Sequence, residues 1–320
     1  MKGLTAVPGL RVGHASDYDA LTGCTAILCE EGAVAGADIR GSATGTEEFS
    51  VLEPGHVAGR VHAVVLAGGS AFGVEAASGV RRYLERKGIG FETRAARVPI
   101  VPCAIIYDLA IGRADVRPTR EMGEAAAAAA TSDPVREGAV GAGTGATVGK
   151  LFGMERAMKA GIGSFAVALE GAYEGVVVAA LAVVNAFGDV IDPKTGRIVA
   201  GARRSPEGLE FADSAAEIKR GARPGFTREN TTLAVVATNA RLDRIEARKL
   251  AQQAQIGMAR TVNPVNTMVD GDLVIALSLG DRRADLNALG IAAAEAVSEA
   301  ILRAVRLAPT LGGIPGLAGD

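Results

Sequence analysis

The feature that most constrains this chain is the regular pattern that begins at Thr231. Residues 231–238 (Thr-Thr-Leu-Ala-Val-Val-Ala-Thr) form a β-prone run, 242–258 carry helical periodicity, 273–279 read as a second strand and 284–305 as a long helix. This strand–helix–strand–helix unit starts abruptly. It follows a polar stretch, 189–226, punctuated by Pro193, Gly196, Pro206, Gly208, Pro224 and Gly225, which is expected to be an exposed connector.

Upstream the pattern is less regular. The first sixty residues alternate short apolar runs with Gly and Asp clusters, which suggests short strands. Residues 62–67 read as a buried strand, followed by a Gly68-Gly69-Ser70 turn and a helix over 72–87 ending at Gly88. A strand over 98–106 is interrupted by Pro99 and Pro102, which confine it to an edge or break it. An alanine-rich helix is expected over 119–130, and paired strands over 164–169 and 174–185. Between them, residues 138–150 form a loop dense in glycine, where backbone must pass close to something.

Composition narrows the function classes. With 320 residues, 48% hydrophobic and 22% charged, the chain has enough apolar side chains for one large domain or two modest ones. A formal net charge of −2 gives no basic field for nucleic acid or an anionic membrane. Aromatics at 4%, with no Trp, argue against base-stacking surfaces. The N-terminal segment lacks an apolar signal core. The longest apolar run, 175–188, is too short for a membrane span. Three cysteines without a C-x-x-C and three histidines without metal-ligand spacing predict a reducing, cytoplasmic setting and no metal.

Several residues interrupt these patterns in chemically useful ways. Asn185 breaks an apolar run, and a buried amide must be hydrogen-bonded or functional. Its NH₂ group could donate to a developing oxyanion, as could Tyr107 at the end of another strand-like run. Lys150 closes the glycine-rich loop; Leu151 stands where a P-loop needs Ser or Thr, so nucleotide binding is not expected. Asp270-Gly271-Asp272 is either a plain turn or a carboxylate pair beside a catalytic centre. Thr231 opens its strand directly after the polar connector. Were the Asn230–Thr231 bond cut, the Thr231 hydroxyl would lie beside its own α-amino group, whose pKa of about 7.7–8.0 suits a base.

Taken together, these segments resemble the self-processing L-aminopeptidase/D-esterase and β-peptidyl aminopeptidase family, and most nearly its endo-type nylon-oligomer hydrolase branch. The resemblance rests on seven motifs in order: Gly9-Leu-Arg-Val-Gly-His14, Leu66-Ala-Gly-Gly-Ser-Ala-Phe-Gly73, Ala104-Ile-Ile-Tyr-Asp108, Gly141-Ala-Gly-Thr-Gly with Gly149-Lys150, Val184-Asn-Ala-Phe-Gly188, Asn230-Thr-Thr-Leu-Ala-Val-Val-Ala-Thr-Asn239 and Met268-Val-Asp-Gly-Asp272. It implies a four-layer αββα sandwich (α/β, or α+β) similar to N-terminal-nucleophile hydrolases, with its own connectivity. It also implies self-cleavage between Asn230 and Thr231 into 1–230 and 231–320, intertwined in one domain.

In that family Thr231 matches the nucleophile, Lys150 a lysine beside it, and Asp270 with Asp272 an orienting acidic pair. Asn185 and Tyr107 match groups expected at the substrate carbonyl. No cofactor is implied, the substrates are peptides or linear amides such as 6-aminohexanoate oligomers, and the assembly is a homotetramer. Two departures stand out: Pro264-Val265-Asn266-Thr267 replaces a Pro-x-His-Thr segment, and threonine replaces the serine of several aminopeptidase relatives. Aminopeptidase or D-esterase specificity, a self-processing acyltransferase and a non-catalytic binding protein are the competing readings.

Overall fold

The computed structural model describes residues 2–223 and 230–319. Nine strands form one hydrogen-bonded path: β1 (Arg11–Asp17), β2 (Thr22–Ile39), β3 (Thr46–Glu47), β4 (Val61–Ala67), β5 (Cys103–Ile105), β6 (Ile162–Ala168), β7 (Val177–Asn185), β8 (Thr231–Ala240) and β9 (Leu273–Arg282). Their order is β6-β7-β8-β9-β2-β4-β5-β3, with β1 also paired to β2.

The path folds into two layers because β2 serves both. Early in β2, Cys24 pairs with Ala67 and Leu28 with Ala63 of β4. Late in β2, Val34 pairs with Ser278 and Ile39 with Leu273 of β9. The register to β4 shifts between Leu28 and Ala33, where Gly32 adopts φ +84°. A glycine tolerates that bend without ending the strand. The expectation of several short strands is therefore corrected here: 22–39 is one bent strand of 18 residues.

Three apolar clusters define the layers. Cys24, Ala26, Leu28, Ala63 and Val65 pack against Ala76, Val80 and Leu84 of α1 (Glu75–Arg86) and Ala126 of α2 (Arg120–Ala128). On the opposite face, Ile27, Val64 and Leu66 meet Leu181, Leu233, Val235 and Ile275 between the two sheets. The period-2 alternation of β7, β8 and β9 then turns Val178, Ala180, Val236 and Val274 outward. These pack beneath Leu250 and Met258 of α4 (Arg244–Thr261) and Ala293, Val297 and Ile301 of α5 (Leu286–Arg306). The result is the expected αββα sandwich.

β8 and β9 are parallel, Leu233 opposite Leu273, and α4 supplies the crossover that a parallel pair requires. An Asp243–Glu246 capping box starts α4, and the Asp285 carboxylate caps α5. The proline-broken stretch 98–106 divides as its sequence demands, leaving only Arg97–Val98 and Cys103–Ile105 as strands.

The polar stretch after β7 is not the exposed connector its Pro and Gly content suggests. It forms strands Asp189–Ile191 and Ile198–Ala200 and a short helix, α3 (Ser214–Lys219). The buried Asp189 carboxylate draws it in, accepting from the amides of Ala202 (2.8 Å) and Ser214 (2.7 Å) and from the Ser214 hydroxyl (2.8 Å). Turn residues mark changes of direction, not exposure. Its last residues, 224–226, lie outside the described residues.

Candidate active site

The site forms at the start of β8, where three segments meet. Asn185, the last residue of β7, pairs directly with Thr231, and Asn230 bridges in parallel to Asp270 before β9. The turn 270–272 is held from beneath by the chain leaving β2. Arg40 and Gly41 amides donate to the Asp272 carbonyl (3.0 Å each) and the Ala43 amide to that of Asp270 (2.8 Å). Thr231, Asn230, Asn185, Lys150, Asp270 and Asp272 are all buried.

The carbonyl oxygen between Asn230 and Thr231 accepts two hydrogen bonds. The Thr231 hydroxyl donates to it at 2.6 Å and the Gly271 amide at 2.7 Å. On the other side the Asn230 amide and Nδ2 both donate to the Val269 carbonyl (3.2 and 3.3 Å). The peptide bond ahead of Thr231 is thus pinned on both sides by 269–271. A β-carbon at Gly271 would stand 2.7 Å from the Ala43 carbonyl oxygen and 2.8 Å from Thr231 Oγ1, so the approach requires glycine.

The acidic pair flanks this bond. Asp272 Oδ1 accepts from the Thr232 amide (2.5 Å) and Oδ2 from the Asn266 amide (2.9 Å). Asp270 accepts from the Phe187 amide (3.2 Å), the Thr267 amide (3.2 Å) and the Thr267 hydroxyl (2.5 Å). Burial, reinforced by the neighbouring Asp270 charge, pushes the Asp272 carboxyl up to about 7. Burial also raises Asp270, while Lys150 draws it back. The segment 266–267, where the sequence departs from the family pattern, therefore touches the acids themselves.

Lys150 Nζ donates to the main-chain oxygen (2.9 Å) and Oδ1 (2.8 Å) of Asn185. Asn185 Oδ1 also accepts from the Thr147 amide (3.1 Å) and hydroxyl (3.4 Å), and Asn185 Nδ2 donates to the Tyr107 carbonyl (3.0 Å). The asparagine thus ties the glycine-rich loop, the lysine and Tyr107 to the residue facing Thr231. All six residues singled out in the sequence converge here, Tyr107 through its main chain. Sequence reasoning gave no role to the Gly271 amide, Thr147 or Thr267. Only the hydroxyl residues had a signal in the sequence, since any non-proline residue carries an amide.

The sequence matches the family model described as Peptidase family S58 over residues 2–318. The chain belongs to peptidase family S58. This makes it a hydrolase of the peptidase class. A protein of Mycobacterium tuberculosis described as an uncharacterized aminopeptidase is 38% identical over 344 residues, covering 98% of this chain and 96% of the relative. A 6-aminohexanoate-oligomer endohydrolase of Kocuria is 31% identical, covering 93% and 84%. The nylon-oligomer branch is thus not the nearest, as the motifs had suggested: the mycobacterial protein is more similar. The structure of L-aminopeptidase D-Ala-esterase/amidase from Ochrobactrum anthropi, described as a variant of the N-terminal-nucleophile hydrolase fold, superposes with a TM-score of 0.76 at 21% identity. That alignment covers 98% of this chain and 88% of the solved one, and the fold is of that type.

Among the described residues no cluster of His, Cys, Asp or Glu could hold a metal ion, and no helix is long and apolar enough to cross a membrane.

Proposed function

We propose that this chain is a self-processing N-terminal-threonine amide hydrolase that cuts its own Asn230–Thr231 bond and then uses Thr231 to hydrolyse amide bonds of peptides. One observation carries the reading: the Asn230 carbonyl oxygen lies between the Thr231 hydroxyl at 2.6 Å and the Gly271 amide at 2.7 Å.

In the precursor the Thr231 hydroxyl oxygen attacks the carbon of that same carbonyl, and its proton is delivered to the Thr231 nitrogen as the C–N bond breaks. The Gly271 amide holds the oxyanion, the acyl group moves from nitrogen to oxygen, and water hydrolyses the ester. Holding hydroxyl and carbonyl side by side before reaction removes several kcal/mol from the barrier. In the mature enzyme the freed α-amine of Thr231, or neutral Lys150, takes the hydroxyl proton while a substrate carbonyl is attacked. The acyl-enzyme forms, the amine leaves and water completes the cycle. The Gly271 amide and the second Nδ2 hydrogen of Asn185 are the candidate donors to the substrate oxyanion; Tyr107, expected from the sequence as a donor, meets the site through its carbonyl, which accepts from Asn185. Each such donor is typically worth on the order of 10²–10³-fold in rate. Asp270 and Asp272 balance the lysine charge where the α-amine is the base, and fix the α-amine where Lys150 is.

The 38% identity to an aminopeptidase favours removal of N-terminal residues from peptides. Endo-cleavage of 6-aminohexanoate oligomers is the second reading, favoured by Thr231, Lys150 and the 31% relative. A homotetramer in the cytoplasm completes the proposal; the three cysteines are buried free thiols, which suits a reducing compartment.

Intact mass and N-terminal sequencing of the purified protein test this directly. Two chains are expected, the smaller beginning Thr-Thr-Leu-Ala-Val. A single chain after long warm incubation would overturn the reading. Panels of aminoacyl amides, D-amino-acid esters and 6-aminohexanoate oligomers then separate the substrate classes.

A further inference from the structure

A second buried lysine stands behind the site. Lys159 is fully buried, and its Nζ donates to three main-chain carbonyls, those of Ala160 (2.7 Å), Ala146 (2.8 Å) and Gly143 (3.3 Å). Two of these belong to the glycine-rich loop. An ammonium ringed by carbonyl oxygens does the work of a bound monovalent cation, with the difference that it is covalently tethered. The same loop also meets an anion. A β-carbon at Gly145 would lie 2.6 Å from Asp108 Cβ and 2.9 Å from Asp108 Oδ2, so the carboxylate side chain rests directly on that glycine. Asp108 is buried, accepts from the Gly69 amide (2.6 Å) and the Thr22 hydroxyl (2.7 Å), and follows Tyr107 in sequence.

We propose that Lys159 and Asp108 clamp the glycine-rich loop between a tethered cation and an anion, and that Lys159 thereby positions Thr147, Asn185 and Lys150 opposite the nucleophile. The clamped carbonyls at 143 and 146 lie four residues and one residue before Thr147, whose amide and hydroxyl meet Asn185 Oδ1. That same oxygen receives Lys150 Nζ at 2.8 Å. Neither clamp residue touches Thr231; both act through the loop. The two groups feel each other's charge. Burial lowers Lys159 to about 7 while Asp108 pulls it up, and burial raises Asp108 to about 6 while hydrogen bonds and Lys159 pull it down. An apolar side chain of similar length fills the volume but takes the lysine donor from all three carbonyls: Gly143 and Ala146 keep only the amides of Ala146 (3.2 Å) and Ala160 (3.0 Å), the buried Ala160 carbonyl loses its Lys159 partner, and the loop is then free to shift.

The proposal rests on the amidase reading only for its kinetic consequence, so the test has two parts. The first uses the uncut Thr231→Ala chain and needs no turnover. Hydrogen exchange at the Thr147 amide is expected to speed up by about tenfold or more when Lys159→Met is added. The second part uses otherwise wild-type protein. Lys159→Met combined with Asp108→Asn leaves no unpaired charge inside, so the double variant carries the test if the single one does not accumulate. It is expected to lower kcat by about 10²-fold with KM little changed. Ser278→Ala, a destabilising change at the far end of the sheet, should leave kcat alone and separates positioning from general loss of stability. Unchanged Thr147 protection together with wild-type kcat in the double variant would overturn the clamp. If Thr231 proves not to be a nucleophile, the exchange measurement still decides the matter.

Discussion

Strand β8 and its neighbours bury polar side chains at both ends, and the two ends differ in kind. At the far end Thr238 Oγ1 accepts from the Ala240 amide (3.0 Å). Ser278 donates to the Ala240 carbonyl (2.7 Å) and accepts from the Leu242 amide (3.0 Å). Asn239 closes a pair of main-chain bonds to Val177 (2.8 Å) and Gly175 (2.9 Å). These groups are neutral, and each serves the backbone where a strand ends. At the near end the same residue types, Thr231 and Asn185, stand among Lys150, Asp270 and Asp272, all buried. Burying a hydroxyl is therefore ordinary here, as Thr238 and Ser278 show. Three ionisable groups drawn out of water around one peptide bond are not, because such burial is costly unless something other than stability retains it.

The sharpest way to break this contrast is to remove the hydroxyl at the near end. Thr231→Ala should leave one uncut chain of 320 residues and lower amidase activity by at least about 10⁴-fold. Mass spectrometry and turnover of a peptide amide check both. The fold should survive, since alanine is already common in these strands. Rapid cleavage of that variant after position 230 would mean that the two ends differ only in charge, not in function.

Asp272 turns the contrast into a pH dependence. Its folded-state pKa of about 7 lies above the ordinary carboxylate value of 3.8. Its contribution to stability is therefore full below about pH 4 and is lost as pH rises through about 7. If the ionised form orients the nucleophile, maturation must run the other way, slow at pH 5 and fast above pH 7. Asp272→Asn should remove that rise, slow maturation by about 10²-fold, and flatten the fall in melting temperature between pH 5 and 8 relative to its parent. The comparison with the parent matters because Lys159 opposes it. Its folded pKa, lowered to about 7, makes stability rise with pH from there toward 10.5. A maturation rate independent of pH from 5 to 8 would remove Asp272 from the chemistry.

Gly271→Ala sharpens the comparison at a single atom. The new methyl group would press on both the Ala43 carbonyl and Thr231 Oγ1. Maturation is expected to slow by about 10²-fold, at a stability cost of about 1–3 kcal/mol. A pulse-chase of precursor at two temperatures separates the two effects. Normal processing would show that the turn can yield to a β-carbon at 271 without losing the geometry of the cut.

Much of this architecture is legible in the sequence, and what is not has a physical reason. Thr231, Asn185, Lys150 and the Asp270–Asp272 pair each interrupt a local pattern, so they can be picked out by eye. That Asn185 faces Thr231 is a matter of strand register, which is set by tertiary pairing. The bend in β2 hangs on the φ of one glycine. Lys159 sits in an unremarkable Met-Lys-Ala-Gly segment, and nothing local announces that its head group will end among carbonyls. Asp189 was read as the first residue of a polar connector and instead anchors it. A lone carboxylate does not reveal which amides will reach it.

The smallest expected effect belongs to the far end, and it is the control on everything above. Ser278→Ala strips the donor from the Ala240 carbonyl and the acceptor from the Leu242 amide in one step. Ser278 is buried, so water does not readily replace either partner. A loss of about 1–3 kcal/mol in unfolding free energy is expected, measured by urea titration of the uncut Thr231→Ala chain to keep the transition simple. Maturation and turnover in otherwise wild-type protein should stay unchanged, because the hydroxyl meets only main chain at the opposite end of β8 from Thr231. If Ser278→Ala slowed the cut as strongly as Gly271→Ala, strain would be travelling the length of the strand, and the two ends could no longer be treated as a scaffold and a site.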